Sequence, residues 1–348
     1  MNENKINTTL NEVYKTTSLG DANSSIGSVF YGINHRQTPS PVPINRDVYG
    51  LTFFTRPQLN LSSSNVRAER SFIPLLTSEA ASIQRIIRCY LDPRLNISDF
   101  AYSCPFVDHE NAFMPLLTNH LLSCTGWPDP VLDYYSSEPG AYKETFSMVD
   151  SSLDIYSAYD ITATFRNMVG DPIRSLFHTW ISYAASVFKG IMVPYPDFMV
   201  KNEIDYNTRI YRLVLDKNKR YVQKIGCTGA AFPYDVPMGS AFDYDSETPL
   251  NANNDRIAIR FRCMGACYQD DIIMHEFNAA VGIFNPNMRE SMYASNMQKI
   301  PVEALSVFNN RGYPRINPNT YELEWYVSRE VFQISMIAFQ AHMGALSS

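Results

Sequence analysis

The sequence predicts an α+β fold, an antiparallel β-sheet with one helix packed on it, and three stretches carry that prediction. From Ile161 to Arg166 the chain alternates. Ile161, Ala163 and Phe165 fall on one face and Thr162, Thr164 and Arg166 on the other, the period of a half-buried strand. Ile173, Leu176, Phe177, Trp180, Ala184, Val187 and Phe188 then form one helical stripe. Finally, Ile257, Ile259, Phe261 and Cys263 alternate with Arg256, Ala258, Arg260 and Arg262. The order is strand, helix, hairpin, long loop, strand. These separations are too short for repeated parallel crossovers, so the pairing is antiparallel.

Taken in order, residues 1–45 are rich in Asn, Ser, Thr and Gly and close on Pro39, Pro41 and Pro43. Too few apolar residues are present to offset the ordering entropy. An extended N-terminal arm is expected, either ordering on a neighbouring subunit or remaining a loose tail. A strand follows over 49–55, stopped by Arg56 and Pro57. Ile83, Ile86, Ile87 and Tyr90 share a helical face, so a helix is expected over 78–91, ended by Asp92 and Pro93. A second helical piece is expected over 111–122, leading into a turn-rich run at 127–130.

Asp171 and Pro172 read as N-cap and first helical residue of the central helix. Lys189 and Gly190 read as its C-terminal charge and cap. Strands are expected over 208–215 and 221–227 around a hairpin loop at 216–220. An extended, turning link at 232–237 and a polar loop at 243–255 come next. Beyond Asp271 a loop-like section contains Asn285 before Pro286 and Asn317 before Pro318. A helix is expected near 329–342, with a strand left open at Val331, Phe332 and Ile334. The expected organisation is an arm over 1–45, a main domain over 46–275 with a partly helical insertion near 62–140, and a partly helical C-terminal extension over 276–348.

Composition narrows the function. Of 348 residues 45% are hydrophobic and only 18% charged, so much of the surface is neutral and polar, as suits packing against other copies. The net charge is −6, and the basic residues are scattered singly apart from Lys217, Lys219 and Arg220 at the hairpin tip. Sequence-specific nucleic-acid binding would call for a basic patch. An acidic protein can still line a channel through which DNA passes without sticking. The six cysteines contain no CxxC pair, and reduced, buried thiols are expected. No apolar core of a secretory signal opens the chain, and no apolar run is long enough for a membrane anchor.

Several groups invite chemistry. Asp108, His109 and Glu110 are adjacent, but neighbouring residues on an extended segment point apart and no HExxH spacing accompanies them. Cys263, Cys267 and His275 could suggest zinc or a nucleophile, yet Cys263 falls on the apolar face of its strand. Asp270 with Asp271, and Asp243 with Asp245, are carboxylate pairs that loop solvation explains. His178 and Trp180 read as surface and packing residues. The row of Arg256, Arg260 and Arg262 lies on one strand face and could meet DNA, but an acidic partner on another subunit is the expectation. No phosphate-binding glycine loop occurs. No catalytic, cofactor-binding or metal residue is assigned, and no cofactor is expected.

Several motifs between 145 and 278 occur in a telling order. Phe177 and Trp180 make an F-x-x-W pattern in the helix, and Ile210 to Leu215 forms one arm of the hairpin. Gly229 to Val236 carries a spaced glycine, proline and valine (Gly229, Pro233, Val236), and Ile257 to Phe261 closes the series. This order resembles the tail-tube protein family of contractile-tailed bacteriophages, and Tyr49 to Leu61 is similar to its N-terminal signature. Residues 205–211 and 272–278 also look like segments of virion proteins from large-genome phages.

The resemblance implies an antiparallel β-sheet or β-barrel of tail-tube type with one packed helix, plus insertions and terminal extensions. It implies a non-enzymatic virion protein of the tail, assembled in the host cytoplasm. Such subunits form rings, usually hexameric, around a channel that DNA crosses without specific binding. Their partners are sheath, tube or baseplate subunits. The chain is about twice the length of a minimal tube subunit, so a baseplate or tail-end ring fits as well as the tube. A tail-associated cell-wall or polysaccharide hydrolase, and a neck or capsid protein of another fold, stand as alternatives.

Overall fold

A computed structural model describes residues 49–95, 104–152, 157–243, 246–247, 255–305, 308 and 311–337. The expected arm at 1–45 and the last residues of the expected C-terminal helix lie outside the described residues.

Eleven strands are seen among the described residues: β1 (Tyr49–Phe54), β2 (Leu121–Thr125), β3 (Tyr134–Ser136), β4 (Ser147–Val149), β5 (Ala158–Arg166), β6 (Ile210–Leu215), β7 (Val222–Asp235), β8 (Arg256–Tyr268), β9 (Met297–Lys299), β10 (Tyr313–Ile316) and β11 (Leu323–Ser328). Apart from single turns and a 3-10 helix over Arg70–Leu76, the helices among the described residues are α1 (Ile83–Leu91), α2 (Pro115–His120), α3 (Pro172–Phe188), α4 (Pro196–Lys201) and α5 (Asp271–Phe284). Residues 329–337 are also helical, as expected.

The main sheet has six strands in the order β1-β6-β7-β8-β5-β2, antiparallel throughout. One stretch of chain bridges its two edges. Phe113 pairs with Thr55 just beyond β1, and Met114 N–H donates to the Phe54 carbonyl at 3.0 Å. After α2 the same stretch becomes β2 and pairs with β5. The sheet is therefore a nearly closed barrel, which leaves little edge open to unwanted pairing.

Alternation along each strand sorts side chains into two clusters. Phe54 of β1 and Ile210 of β6 face inward with Ile161, Ala163, Phe165, Ile257, Ile259, Phe261 and Cys263. Phe54 lies 5.7 Å from Phe165 and 5.8 Å from Phe261, ring to ring, although β1 pairs with neither strand. Those contacts cross the barrel. α3 covers this interior with Ile173, Leu176, Phe177, Trp180 and Tyr183, all fully buried. The next residues along, Phe53 and Tyr211, face the other way. They meet α5 through Ile273, Met274, Phe277 and Val281 and the small β10-β11-β9 sheet through Ile316, Leu323 and Tyr326.

The inward faces of β5 and β8 are as expected, and α3 is the helix that the stripe predicts. Its C-terminus is also as read: Gly190 takes φ +73°, its N–H bonds to the Val187 carbonyl, and Ile191 N–H bonds to the Ser186 carbonyl. Other readings are corrected. Phe188 is 93% exposed, because the last turn of α3 runs past the sheet it packs on. Asp171 adopts a left-handed conformation at φ 50° and does not cap α3 with its side chain, which instead accepts from Asn167 Nδ2 at 2.5 Å.

α1 starts at Ile83 rather than near 78, because Ser82 Oγ accepts from Arg85 N–H at 3.2 Å and so defines the first turn. The helical piece expected over 111–122 runs only from Pro115 to His120, and Leu121 already belongs to β2. β7 continues to Asp235 through the segment expected to turn, and a bulge at Tyr234 accommodates Pro233 against β8. The stretch after Asp271, expected to be loop-like, begins with the 14-residue helix α5. Most of the polar loop at 243–255 lies outside the described residues.

Candidate assembly surface

With α3 on one side of the sheet and α5 on the other, the outward face of β5 and β8 is left open to solvent. It presents Asp160, Thr162, Thr164 and Arg166 from β5, and Arg256, Ala258, Arg260 and Arg262 from β8. Register brings opposite charges together. Arg262 faces Asp160 across the ladder and its Nη1 lies 3.0 Å from Oδ1. Arg260 lies 3.7 Å from Asp235 of β7, and Arg256 lies 3.4 Å from Asp255. The expected acidic partner of the arginine row is thus supplied by the same chain. Such exposed pairs contribute at most about 1 kcal/mol each, so their effect is to make the wall polar and nearly neutral.

The layer behind this wall is held by buried polar groups. Arg56, just beyond β1, is the main clasp. Its Nε donates to the Tyr90 carbonyl at 3.0 Å and Nη2 donates to the Cys89 carbonyl, both in the last turn of α1. Its Nη1 donates to the carbonyls of Asp108, His109 and Asn111 at 2.9–3.2 Å. One guanidinium therefore satisfies helix-end and loop acceptors that would otherwise be buried unpaired. Burial lowers its pKa to about 10, and the charge is retained at neutral pH.

Asp92, just after α1, accepts from Leu61 N–H and from the Tyr195 hydroxyl, each at 2.8 Å. Burial pushes this carboxyl up to about 6 against those hydrogen bonds. Tyr183 of α3 donates to Asp205 at 2.5 Å, and Arg94 pairs with Asp197 of α4 at 2.7 Å. Together these contacts lock α1, α3 and α4 into one layer.

The groups singled out for chemistry are mostly kept apart. Asp108 and Glu110 do converge, but on Tyr313, whose hydroxyl donates to Asp108 Oδ2 at 2.8 Å and sits 3.1 Å from Glu110 Oε2. That pair ties the loop to β10. Cys263 faces the barrel interior, Cys267 packs on the opposite cluster, and His275 is exposed on α5. Burial pushes the Cys263 thiol up to about 12, which removes its nucleophilicity. Asp270 is exposed, as expected, and has a further role: its Oδ1 accepts from Ile272 N–H at 2.9 Å and caps α5. Asp271 accepts from the Tyr321 hydroxyl. Asp243 is exposed, and Asp245 lies outside the described residues.

His178 is exposed, whereas Trp180 stacks on Phe177 at 5.9 Å and donates from Nε1 to the Tyr206 carbonyl at 2.9 Å. The F-x-x-W pattern is a packing motif. A cleft between residues 70–76 and α3, which His178 helps to line, holds about 170 Å3. That is below the roughly 300–1,000 Å3 of small-molecule sites. Among the described residues no group of three His, Cys, Asp or Glu side chains could hold a metal ion, and no helix is long and apolar enough to cross a membrane.

α5 is what the sequence reading missed. Its signal was present in the Asp270 cap and in the i, i+4, i+8 series Ile273, Phe277, Val281. Further apolar residues around the same helix obscured the stripe.

A nearly closed antiparallel sheet with a helix over its interior and an open polar face is an architecture of the tail-tube type. The sequence profile of the family described as "Putative phage tail tube protein" matches residues 1–342. The chain belongs to that family, whose members are structural proteins of the phage tail. No curated protein sequence matches it. Among solved structures it is similar to the tube-terminating cap of the anti-feeding prophage, at 16% identity, 45% coverage of this chain, 82% of that chain and a TM-score of 0.28. It is also similar to the sheath/tube terminator of an extracellular contractile injection system, PVC, in its extended state, at 12% identity, with 45% and 87% coverage and a TM-score of 0.26. A chain of the sheath-tube complex of that system matches at 14% identity, with 45% and 82% coverage and a TM-score of 0.25.

Proposed function

We propose that the chain is a ring-forming subunit of a contractile phage tail, in the tube itself or in a tube-like ring of the baseplate or tail end. The observation that carries this reading is the family match along residues 1–342. Ring closure would cover the remaining sheet edges at β1 and β2, and a hexamer is the expected symmetry. The open face of β5 and β8 is assigned to the channel wall. Its paired charges offer DNA no net attraction, so a phosphate backbone would slide past rather than bind.

Within this reading the arm at 1–45 serves neighbouring subunits, and no residue is catalytic. Assembly in the host cytoplasm and residence in the virion follow from the same role.

Electron microscopy of the purified full chain tests the proposal, with rings or tubes carrying a central channel as the expected result. A chain that remains monomeric at high concentration overturns it. Copy number in the particle then separates positions: on the order of hundreds for the tube, about six or twelve for an end ring.

A further inference from the structure

Between β2 and β5 the chain leaves the body as a ribbon. Among the described residues β3 and β4 pair only with each other, Tyr134 opposite Val149 and Tyr135 opposite Met148. Every residue from 129 to 152 is exposed except Ser137. The departure point is built in: Gly126 has φ +104° and lies against the Asp160 carbonyl, where a Cβ would collide.

The ribbon is not polar, as a free loop would be. Tyr134 is 73% exposed, Tyr142 94% and Phe146 65%, with Tyr135, Met148 and Val149 all above half. Because cross-strand partners share a face, Tyr134 with Val149 lies on one side and Tyr135 with Met148 on the other. Both faces are therefore apolar. An isolated two-stranded ribbon is marginally stable in water. Four aromatic rings and several aliphatic side chains thus stand exposed over the two faces, more apolar surface than a free loop on a monomer usually leaves uncovered.

A complementary surface occurs on the same chain. Past the end of α3 and along α4, Phe188, Val193, Met199, Val200 and Ile204 are exposed, at 47–93%. Lys189, Lys201 and Arg94 border them, against Asp197, which Arg94 engages, and the exposed Glu203, so the patch keeps a slight positive excess. The ribbon bears Asp129, Asp133, Glu138, Glu144 and Asp150 against Lys143 alone. Apolar area thus faces apolar area, and an acidic ribbon faces a lysine-bordered patch.

We infer that the β3–β4 ribbon of one copy docks on the 188–204 patch of a second copy of this chain. Two different surfaces on one chain make a heterologous contact, which closes into a ring or continues as a stack. The inference rests on the ring-forming reading and names the contact that would build it.

The test uses the full chain, followed by sedimentation velocity over a concentration series. The Tyr134→Ser, Tyr142→Ser, Phe146→Ser triple variant and the Val200→Asp, Lys201→Glu double variant should each raise the concentration needed for assembly at least tenfold. Both should stay close to the wild-type melting temperature, since the apolar side chains replaced are exposed and Lys201 acts in the monomer only through a weak surface attraction to Asp197. In parallel, separately expressed Tyr142→Cys and Val200→Cys chains are mixed and treated with a short bismaleimide. A covalent dimer in the mixture, above the level of either chain alone or of wild type, is the expected result.

If wild type forms rings or tubes and both variants do so at the same concentration, this inference fails while the ring reading stands. If wild type never assembles, both fail. Hydrogen-exchange protection in the monomer of ribbon amides outside the β3–β4 ladder's own hydrogen bonds would show the ribbon covered by its own chain and would also overturn the inference.

Discussion

β5 and the β3–β4 ribbon are neighbours in the sequence with opposite fates. β5 places Ile161, Ala163 and Phe165 in the barrel interior and leaves polar residues outside. The ribbon, a few residues earlier, carries apolar side chains on both faces and buries none of the strand residues. Burial rather than hydrophobicity decides what a side chain contributes to the stability of one copy. Apolar residues in the body hold the subunit together, and those in the ribbon can be stabilising only between subunits.

Five substitutions break or sharpen that contrast. Trp180→Ala should show the largest effect, a loss of about 3–5 kcal/mol in denaturant unfolding, because a fully buried ring that stacks on Phe177 is removed. Phe277→Ala should approach it, showing that the cluster under α5 matters as much as the barrel interior; an effect below about 1 kcal/mol would mean that α5 is only loosely docked.

Next comes Arg56→Lys. An ammonium cannot reach the carbonyls of Cys89, Tyr90, Asp108, His109 and Asn111 together, and the loss should be about 3 kcal/mol by the same assay.

Asp92 should give the body a pH signature. Its pKa in the fold, about 6, lies above the usual value near 3.9 in an unfolded chain. The folded state therefore holds the proton more tightly. The stabilisation is fully present below about pH 4 and is lost as pH rises through about 6, a change of roughly 2–3 kcal/mol. Asp92→Asn should abolish that component, so the variant should gain on wild type between pH 4 and 6.5 in melting experiments. A constant difference across this range would contradict the buried-carboxyl assignment.

The smallest effect is expected in the ribbon: Tyr142→Ser should shift monomer stability by less than about 0.5 kcal/mol. A loss above about 2 kcal/mol would erase the distinction between the two regions.

The legible parts of the fold were those with a local period. β5, β8 and α3 could be read because alternation and i, i+4 spacing repeat within a few residues, and their buried faces are those the pattern names. β7 was cut short at Cys227, since Pro233 and the turn-forming residues around it argue against a strand. A bulge against β8 resolves that conflict only once the partner strand is in place. α5 was hidden by being apolar on several sides, the composition expected of a helix covered by both the sheet and the β10-β11-β9 layer. On the surface, the carboxylates of Asp108 and Asp270 read as solvated loops, yet one is tied to Tyr313 and the other caps a helix. Neither role is visible without the partner.

By itself the sequence determined the alternating strands, the central helix, and the order of motifs that marks the tail-tube family, because each is written in residues close along the chain. The tertiary structure decided the near closure of the sheet through 113–125, the docking of α5, and the clasp formed by Arg56. It also decided that the apolar residues of 129–150 find no cover in their own subunit. These outcomes depend on pairings such as Asp108 with Tyr313, 205 residues apart, and on which surfaces remain once such pairings are made. A local pattern specifies which residues seek burial, and only the folded chain determines which of them obtain it.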